Sequence, residues 1–368
     1  KYKSNSYVIY IGVLAALSTG IQLVFLSSLI PIFLFILIEV FYNKKITNKN
    51  FSNKKFLYDF FKCFIFFYFL LILFWIDVHP NIFVLPFNII IETFSDKYWT
   101  GWPYNLINGT YYISDNVPKF YFLINFIYKT PEYFLISYLI FFVLLLKCNK
   151  FFVGRFRFFN YKISLVILIL IFPNLILLIS PYPLYDGMRL FLWTLPYFCI
   201  IPGLTIYYLL KNFNKIKSKL TLFFLSFFIV YFLFIFFTIT PYQYTYLNFL
   251  NGKIENGFRK FENDYWGSSI NELIANTNFE KNRTIIFATC GISSKIPKYY
   301  LKKDGYSNFI FVSPKQADYI IMTNRVVSAN ENNNESKKLV TCFDRFVGED
   351  AFKVTRNGLL LSVIRKID

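Results

Sequence analysis

Histidine is almost missing from this sequence: His79 is the single one in 368 residues. Cysteine is sparse as well. Cys63, Cys148, Cys199, Cys290 and Cys342 lie far apart, with no two at metal-knuckle spacing. This excludes a Cys/His zinc site as a reading and leaves the cysteines as packing residues. Charge is the next shortage: 16% of residues are charged and 56% hydrophobic, a balance too apolar for a water-soluble enzyme of this length. Acidic residues are the scarcer sign, 21 against 39 basic, for a net charge of +18. The 49 Phe and the abundant Lys, Asn and Ile also fit a bias toward AT-rich codons, so the basic excess is not read as nucleic-acid binding. A signal-peptide pattern is missing too, since Lys1 leads almost at once into the apolar run 7–17. The sequence is therefore read as an N-terminally truncated fragment.

What the chain has instead is apolar length. Crossing roughly 30 Å of hydrocarbon takes about 20 residues. The runs 7–17 (short), 21–42, 56–75, 133–146, 163–180, 188–210 and 220–240 predict about seven helices by that measure. Basic residues gather in alternate loops: Lys44, Lys45, Lys49, Lys54 and Lys55; then Lys147, Lys150, Arg155, Arg157 and Lys162; then Lys211, Lys215, Lys217 and Lys219. The positive-inside rule makes these loops cytoplasmic. Segments 18–22, 77–131, 181–187 and 241–368 then face outward, and nearly all the interesting polar sequence falls on that side.

The division predicted is a transmembrane helical domain over 1–240 with an outer loop at 77–131, a membrane-edge clasp over 241–267, and a soluble α/β domain over 268–368. In the outer loop, Asp77 and His79 either hold a divalent cation, the one cofactor the sequence raises, or serve as a helix cap and an interfacial ring. Asn108-Gly109 is a tight-turn signal. The neighbouring Trp and Tyr, from Trp99 to Tyr112, suit an interfacial belt or sugar stacking. Asp186 and Arg189 stand at the start of an apolar helix, where an arginine is costly unless it pairs with Asp186 or holds a phosphate in its planar fork. The clasp is crowded with polar and aromatic groups, among them Tyr242, Gln243, Glu262, Asp264 and Trp266. Beyond it, Ser269-Ile270-Asn271-Glu272 predicts a capping box. Strands are expected at 283–289, 309–312 and 317–323, a helix at 294–302, a polar linker at 328–338, and a hairpin turning on Asn357-Gly358. The domain has no Gly-rich phosphate loop, nucleophile elbow or metal spacing, so it is read as binding or bracing.

Five pieces in order resemble the bacterial membrane glycosyltransferases of the protein O-mannosyltransferase and aminoarabinose-transferase group. They are Asp77-Val78-His79-Pro80; Asn108-Gly109-Thr110-Tyr111-Tyr112 with Lys129-Thr130-Pro131; Tyr185-Asp186-Gly187-Met188-Arg189 with Leu195-Pro196; Pro241 to Asn248; and Glu262-Asn263-Asp264-Tyr265-Trp266-Gly267. The resemblance implies a GT-C membrane helical bundle with a small periplasmic α/β domain, in a bacterial inner membrane. It also implies transfer of a sugar from a polyprenyl-phosphate donor to a glycan, lipid or protein acceptor at the outer face. It places the catalytic acidic residue in a first outer loop, upstream of Lys1, so no catalytic base is carried over. Arg189 matches the basic residue thought to contact the lipid-linked phosphate.

Such a transfer needs a carboxylate for the acceptor hydroxyl, positive charge for the departing phosphate and an apolar groove for the isoprenoid. Glu262 and Asp264 either orient an acceptor or, with a buried Trp266, clasp the domain to the membrane. The competing readings are a non-catalytic anchor presenting the α/β domain, and a lipid or solute transporter. The transporter is disfavoured by the few charges within the spans, Asp59 and Lys62 apart, and by the lack of an internal repeat.

Overall fold

A computed structural model describes residues 4–21, 23–43, 52–93, 101–179, 182–280, 283–329 and 338–367. In chain order the helices of the apolar part are α1 Ser4–Ile21, α2 Leu26–Ile38, α3 Asn53–Phe74, α4 Leu85–Thr93, α5 Tyr121–Lys129, α6 Glu132–Arg155, α7 Phe159–Ile179, α8 Leu195–Lys211 and α9 Ile216–Thr238. A hairpin of β1 Tyr104–Ile107 and β2 Thr110–Ile113 precedes α5. The C-terminal part holds α10 Ile270–Ala275, β3 Ile285–Cys290, α11 Lys295–Lys303, β4 Phe309–Phe311, β5 Tyr319–Thr323, β6 Val326–Ser328, β7 Leu339–Thr341, α12 Cys342–Arg345, β8 Glu349–Arg356 and β9 Leu359–Lys366.

Among the described residues, five helices are long and apolar enough to cross a membrane: Asn53–Phe74, Glu132–Arg155, Phe159–Ile179, Arg189–Lys211 and Ile216–Thr238. The shortest has 21 residues, which at about 1.5 Å each spans the hydrocarbon. The two N-terminal apolar runs form shorter helices, Ser6–Ile21 and Ser28–Tyr42. Large side chains such as Phe223, Phe227, Phe234 and Phe237 project from α9 unburied, a surface suited to lipid. The chain is a membrane protein with a C-terminal α/β region.

It divides into two compact units. The first comprises 1–100, 142–183 and 190–201. Within it α1 and α3 pack backbone to backbone, since a Cβ on Gly12 would stand 2.7 Å from the Cys63 carbonyl oxygen. Phe35 of α2 meets Tyr161 of α7 edge to face at 6.3 Å. Asp77 lies exposed in a 3-10 segment, Ile76–Asn81, whose capping residue is Trp75. The expectation of a capping Asp77 is thus corrected, because the segment begins at Ile76 and Asp77 is its second residue, inside it rather than at its cap.

The second unit comprises 101–141, 184–189 and 202–368. Its sheet runs β4-β3-β5-β9-β8, parallel across β4, β3 and β5 and antiparallel from β5 to β9 and β8. Strand periodicity sorts the side chains. Ile285, Phe287 and Ile321 face α10 and α11 with Leu273 and Leu301, while Ala288, Cys290, Ile320 and Met322 face α12 with Phe343. Both Asn-Gly turns form as expected, with left-handed φ of 49° at Asn108 and Asn357 and 82° and 81° at the following glycines.

Three expectations are corrected here. Cys290 and Cys342 form a disulfide, Cα–Cα 5.8 Å across 52 residues, so these two are not merely packing residues. A sequence spacing that long carries no pairing signal, and it is the sheet that brings the end of β3 to the start of α12. Ser269 does not form a capping box. Its Oγ donates instead to Asp264 Oδ2 at 2.5 Å, and Glu272 binds Arg356. Trp266 is not buried; it is 56% exposed. The linker expected at 328–338 falls mostly on 330–337, outside the described residues, as do Lys44, Lys45, Lys49 and Trp99.

Candidate functional site

The second unit gathers five charged side chains around the turn Leu184–Arg189. The turn is bonded down by the β1–β2 hairpin: Leu184 N donates to Ser114 O at 2.9 Å, and Asn105 Nδ2 donates to Leu184 O and Ser114 Oγ, both at 2.8 Å. Asp186 and Gly187 then adopt left-handed φ of 58° and 63°, a conformation Asp tolerates and Gly adopts at no steric cost. Gly187 is required for a second reason: a Cβ there would lie 2.6 Å from Lys129 Nζ.

The turn points the Asp186 carboxylate inward, where its side chain is 2% exposed. Its two oxygens are divided between two arginines. Arg325 Nη1 donates to Oδ1 at 2.8 Å and Arg189 Nη1 donates to Oδ2 at 3.0 Å. The arginines differ in access, with side chains 7% and 42% exposed respectively. Glu262 approaches the same Arg325 nitrogen, its Oε2 at 3.6 Å from Nη1, while its Oε1 accepts from Val326 N at 2.9 Å. Lys129, at the end of α5, completes the group. Part of its stem is open but its ammonium is enclosed. Burial lowers its pKa to about 8, opposed by Glu262 and Asp186. Burial raises Glu262 to about 7, opposed by Arg325 and the Val326 N–H.

Aromatic rings wall the cluster. The Arg325 guanidinium stands 4.7 Å from the Trp102 ring centre and 5.6 Å from that of Tyr265. Arg189 lies 5.0 Å over exposed Trp266, as cation–π contact allows. Between Asn105, Asn125, Lys129, Asp186, Glu262 and Tyr265 there is a cavity of ≈10 Å³, about the room of one water. Glu262 thus faces no substrate-sized space. The one member of the cluster open to a larger ligand is Arg189.

The other expected site residues are placed as follows. Asp264 is fully buried and accepts from Ser268 N at 2.8 Å, Ser269 N at 2.9 Å, Ser269 Oγ and Tyr244 OH, so its carboxylate is spent on the turn into α10. Tyr242 OH donates to Glu272 at 2.9 Å and Gln243 Nε2 donates to Thr240 Oγ1 at 2.9 Å. Asp77 and His79 belong to the first unit, both exposed, with His79 Nε2 2.9 Å from Ile72 O. Among the described residues no three His, Cys, Asp or Glu side chains converge as a metal site. The clasp binds the start of α6: Tyr246 OH and Phe249 N donate to Glu132 at 2.7 and 2.9 Å.

Sequence reasoning missed Arg325. The available signal was a cation inside the run Met322 to Val327, where a charge needs a buried partner. Its partners, 139 and 63 residues away in sequence, left no local trace. Compared with known proteins, the sequence matches no protein-family model, and no curated protein or solved structure is significantly similar to it.

Proposed function

We propose that this chain holds the donor in a GT-C membrane glycosyltransferase, one that transfers a sugar from a polyprenyl-phosphate to an acceptor at the outer face of a bacterial inner membrane. The observation that carries the reading is Arg189. It opens a 23-residue apolar helix, is held from behind by a buried Asp186, and keeps the rest of its fork exposed beside Trp266. A planar cation at the end of a membrane helix suits an anionic head group on an apolar tail. The order of the five sequence pieces supports the same family. The Cys290–Cys342 disulfide supports an oxidising, outward side for the α/β region, in agreement with the basic loops at the α6–α7 and α8–α9 junctions. Asp186, Glu262 and Asp264 are each committed to bonds within the fold, so the role proposed here is holding the donor rather than abstracting a proton.

The test is titration of the purified full-length protein in detergent with undecaprenyl phosphate, with undecaprenol as the uncharged control. Arg189→Ala is expected to weaken phosphate-dependent binding about 10-fold or more, the worth of a charge-assisted hydrogen bond. Equal binding of the phosphate and the alcohol by the unsubstituted protein would refute the reading and favour a non-catalytic anchor.

A further inference from the structure

We propose that Arg325 is a positioning residue through which the α/β domain sets the guanidinium of Arg189, with Asp186 as the intermediary. The inference rests on the reading of Arg189 as the phosphate contact and adds to it what controls that contact.

Three observations support it. First, the two arginines share one carboxylate, one oxygen each, at 2.8 and 3.0 Å. While Arg325 holds Oδ1, Arg189 is left a single oxygen and spends one nitrogen on it. Without Arg325 the freed oxygen would recruit a second nitrogen of Arg189, since a buried carboxylate takes an arginine fork in preference to remaining half-satisfied. The fork would then be turned inward, away from a ligand.

Second, the Arg325 backbone is fixed from several directions, by the clasp, by Trp102 and by the α/β domain itself. Asn324 beside it accepts from Asn263 N at 3.0 Å and donates to Phe258 O at 2.9 Å and Phe261 O at 2.7 Å. Val326 on the other side donates to Glu262 at 2.9 Å and accepts from Trp102 Nε1 at 3.0 Å. Arg325 O itself accepts from Cys342 N at 2.8 Å, next to the disulfide to Cys290. The following Gly291 runs so close that a Cβ there would stand 2.6 Å from Arg325 Cβ. A residue so anchored makes a fixed reference for the Asp186 carboxylate, whose own turn is held by the bonds of Leu184 to Ser114 and Asn105.

Third, Arg325 is itself too enclosed, at 7% side-chain exposure, to meet the phosphate directly. Its influence on a ligand has to pass through Asp186.

The experiment is a double-mutant cycle on the full-length protein in detergent, titrated with undecaprenyl phosphate. Arg189→Ala and Arg325→Met are each expected to weaken binding by about 10-fold or more. The double variant should bind no worse than Arg189→Ala alone, because Arg325 acts only through Arg189. Arg325→Lys keeps the buried charge and one bond to Asp186 and should recover most of the loss, which a general fault of folding would not predict. If Arg325→Met does not fold, the cycle is run with Arg325→Lys, whose smaller loss must likewise vanish in the Arg189→Ala background. Losses that multiply in the double variant, or an Arg325→Met protein that binds like the unsubstituted one while Arg189→Ala does not, would overturn the positioning role. An Arg189→Ala protein that binds normally would instead refute the donor reading and leave Arg325 with nothing to position.

Discussion

Replacing both Cys290 and Cys342 by Ser removes the one cross-link that ties β3 to the segment before α12, and its cost follows from loop length. The bridge spans 52 residues, and the chain-entropy relation gives a loop of that size about 4 kcal/mol at 25 °C. With a urea dependence of about 2 kcal/mol per molar, the unfolding midpoint of the α/β region should fall by about 2 M. Pulse proteolysis of the full-length protein in detergent would read this shift, and both cysteines are replaced together so that no odd thiol remains. A second readout counts thiols by mass tag. Cys63, Cys148 and Cys199 lie outside the disulfide, so the denatured, unreduced protein should take three maleimide tags and the reduced protein five. Five tags without reduction, or an unchanged midpoint in the double Ser variant, would refute the cross-link and with it the oxidising side assigned to this region.

The buried cluster makes stability depend on pH in an unusual sense. Glu262 binds a proton more tightly folded than unfolded, with its pKa pushed up to about 7, so its contribution favours the fold at low pH and is lost as pH rises toward 7, by about 3 kcal/mol in all. Lys129 is pushed down to about 8. Its contribution therefore lowers stability below that pH and relaxes as pH rises from about 8 toward 10.5. Thermal midpoints of the full-length protein should accordingly decline less between pH 5 and 7 in Glu262→Gln than in the unsubstituted protein; parallel curves would contradict the burial argument. Gly187→Ala puts a Cβ 2.6 Å from Lys129 Nζ at a left-handed φ, and should lower stability by about 1–3 kcal/mol in the same assay. No measurable change would show that the turn is not fixed as described.

Much of the architecture was legible because it rests on local signals. Apolar length located the five spans, and the two Asn-Gly dipeptides located turns, the second of them read as a hairpin, while the strands flanking the first were not read. Asp186 and Arg189 were legible as a pair because they are three residues apart at a helix start. The rest of the cluster was not, because its logic is non-local. Asp186 meets Arg325 only once the hairpin at 104–113 holds the 184–189 turn and the bonds of Asn324 fix the link between β5 and β6. Glu262 and Asp264 looked alike in sequence, two carboxylates in a polar stretch. The fold gives one to an arginine cluster and the other to the backbone of the turn at Ser268 and Ser269. Cys290 and Cys342 were unreadable as a pair for the same reason, their proximity being a property of the sheet.

The central claim is that Arg189 holds an anionic isoprenoid lipid, and native mass spectrometry of the full-length protein released from membranes tests it most directly. The account predicts an adduct with the mass of a polyprenyl phosphate or its sugar-linked form on the unsubstituted protein, and its loss from Arg189→Ala. An adduct retained equally by both proteins would contradict it.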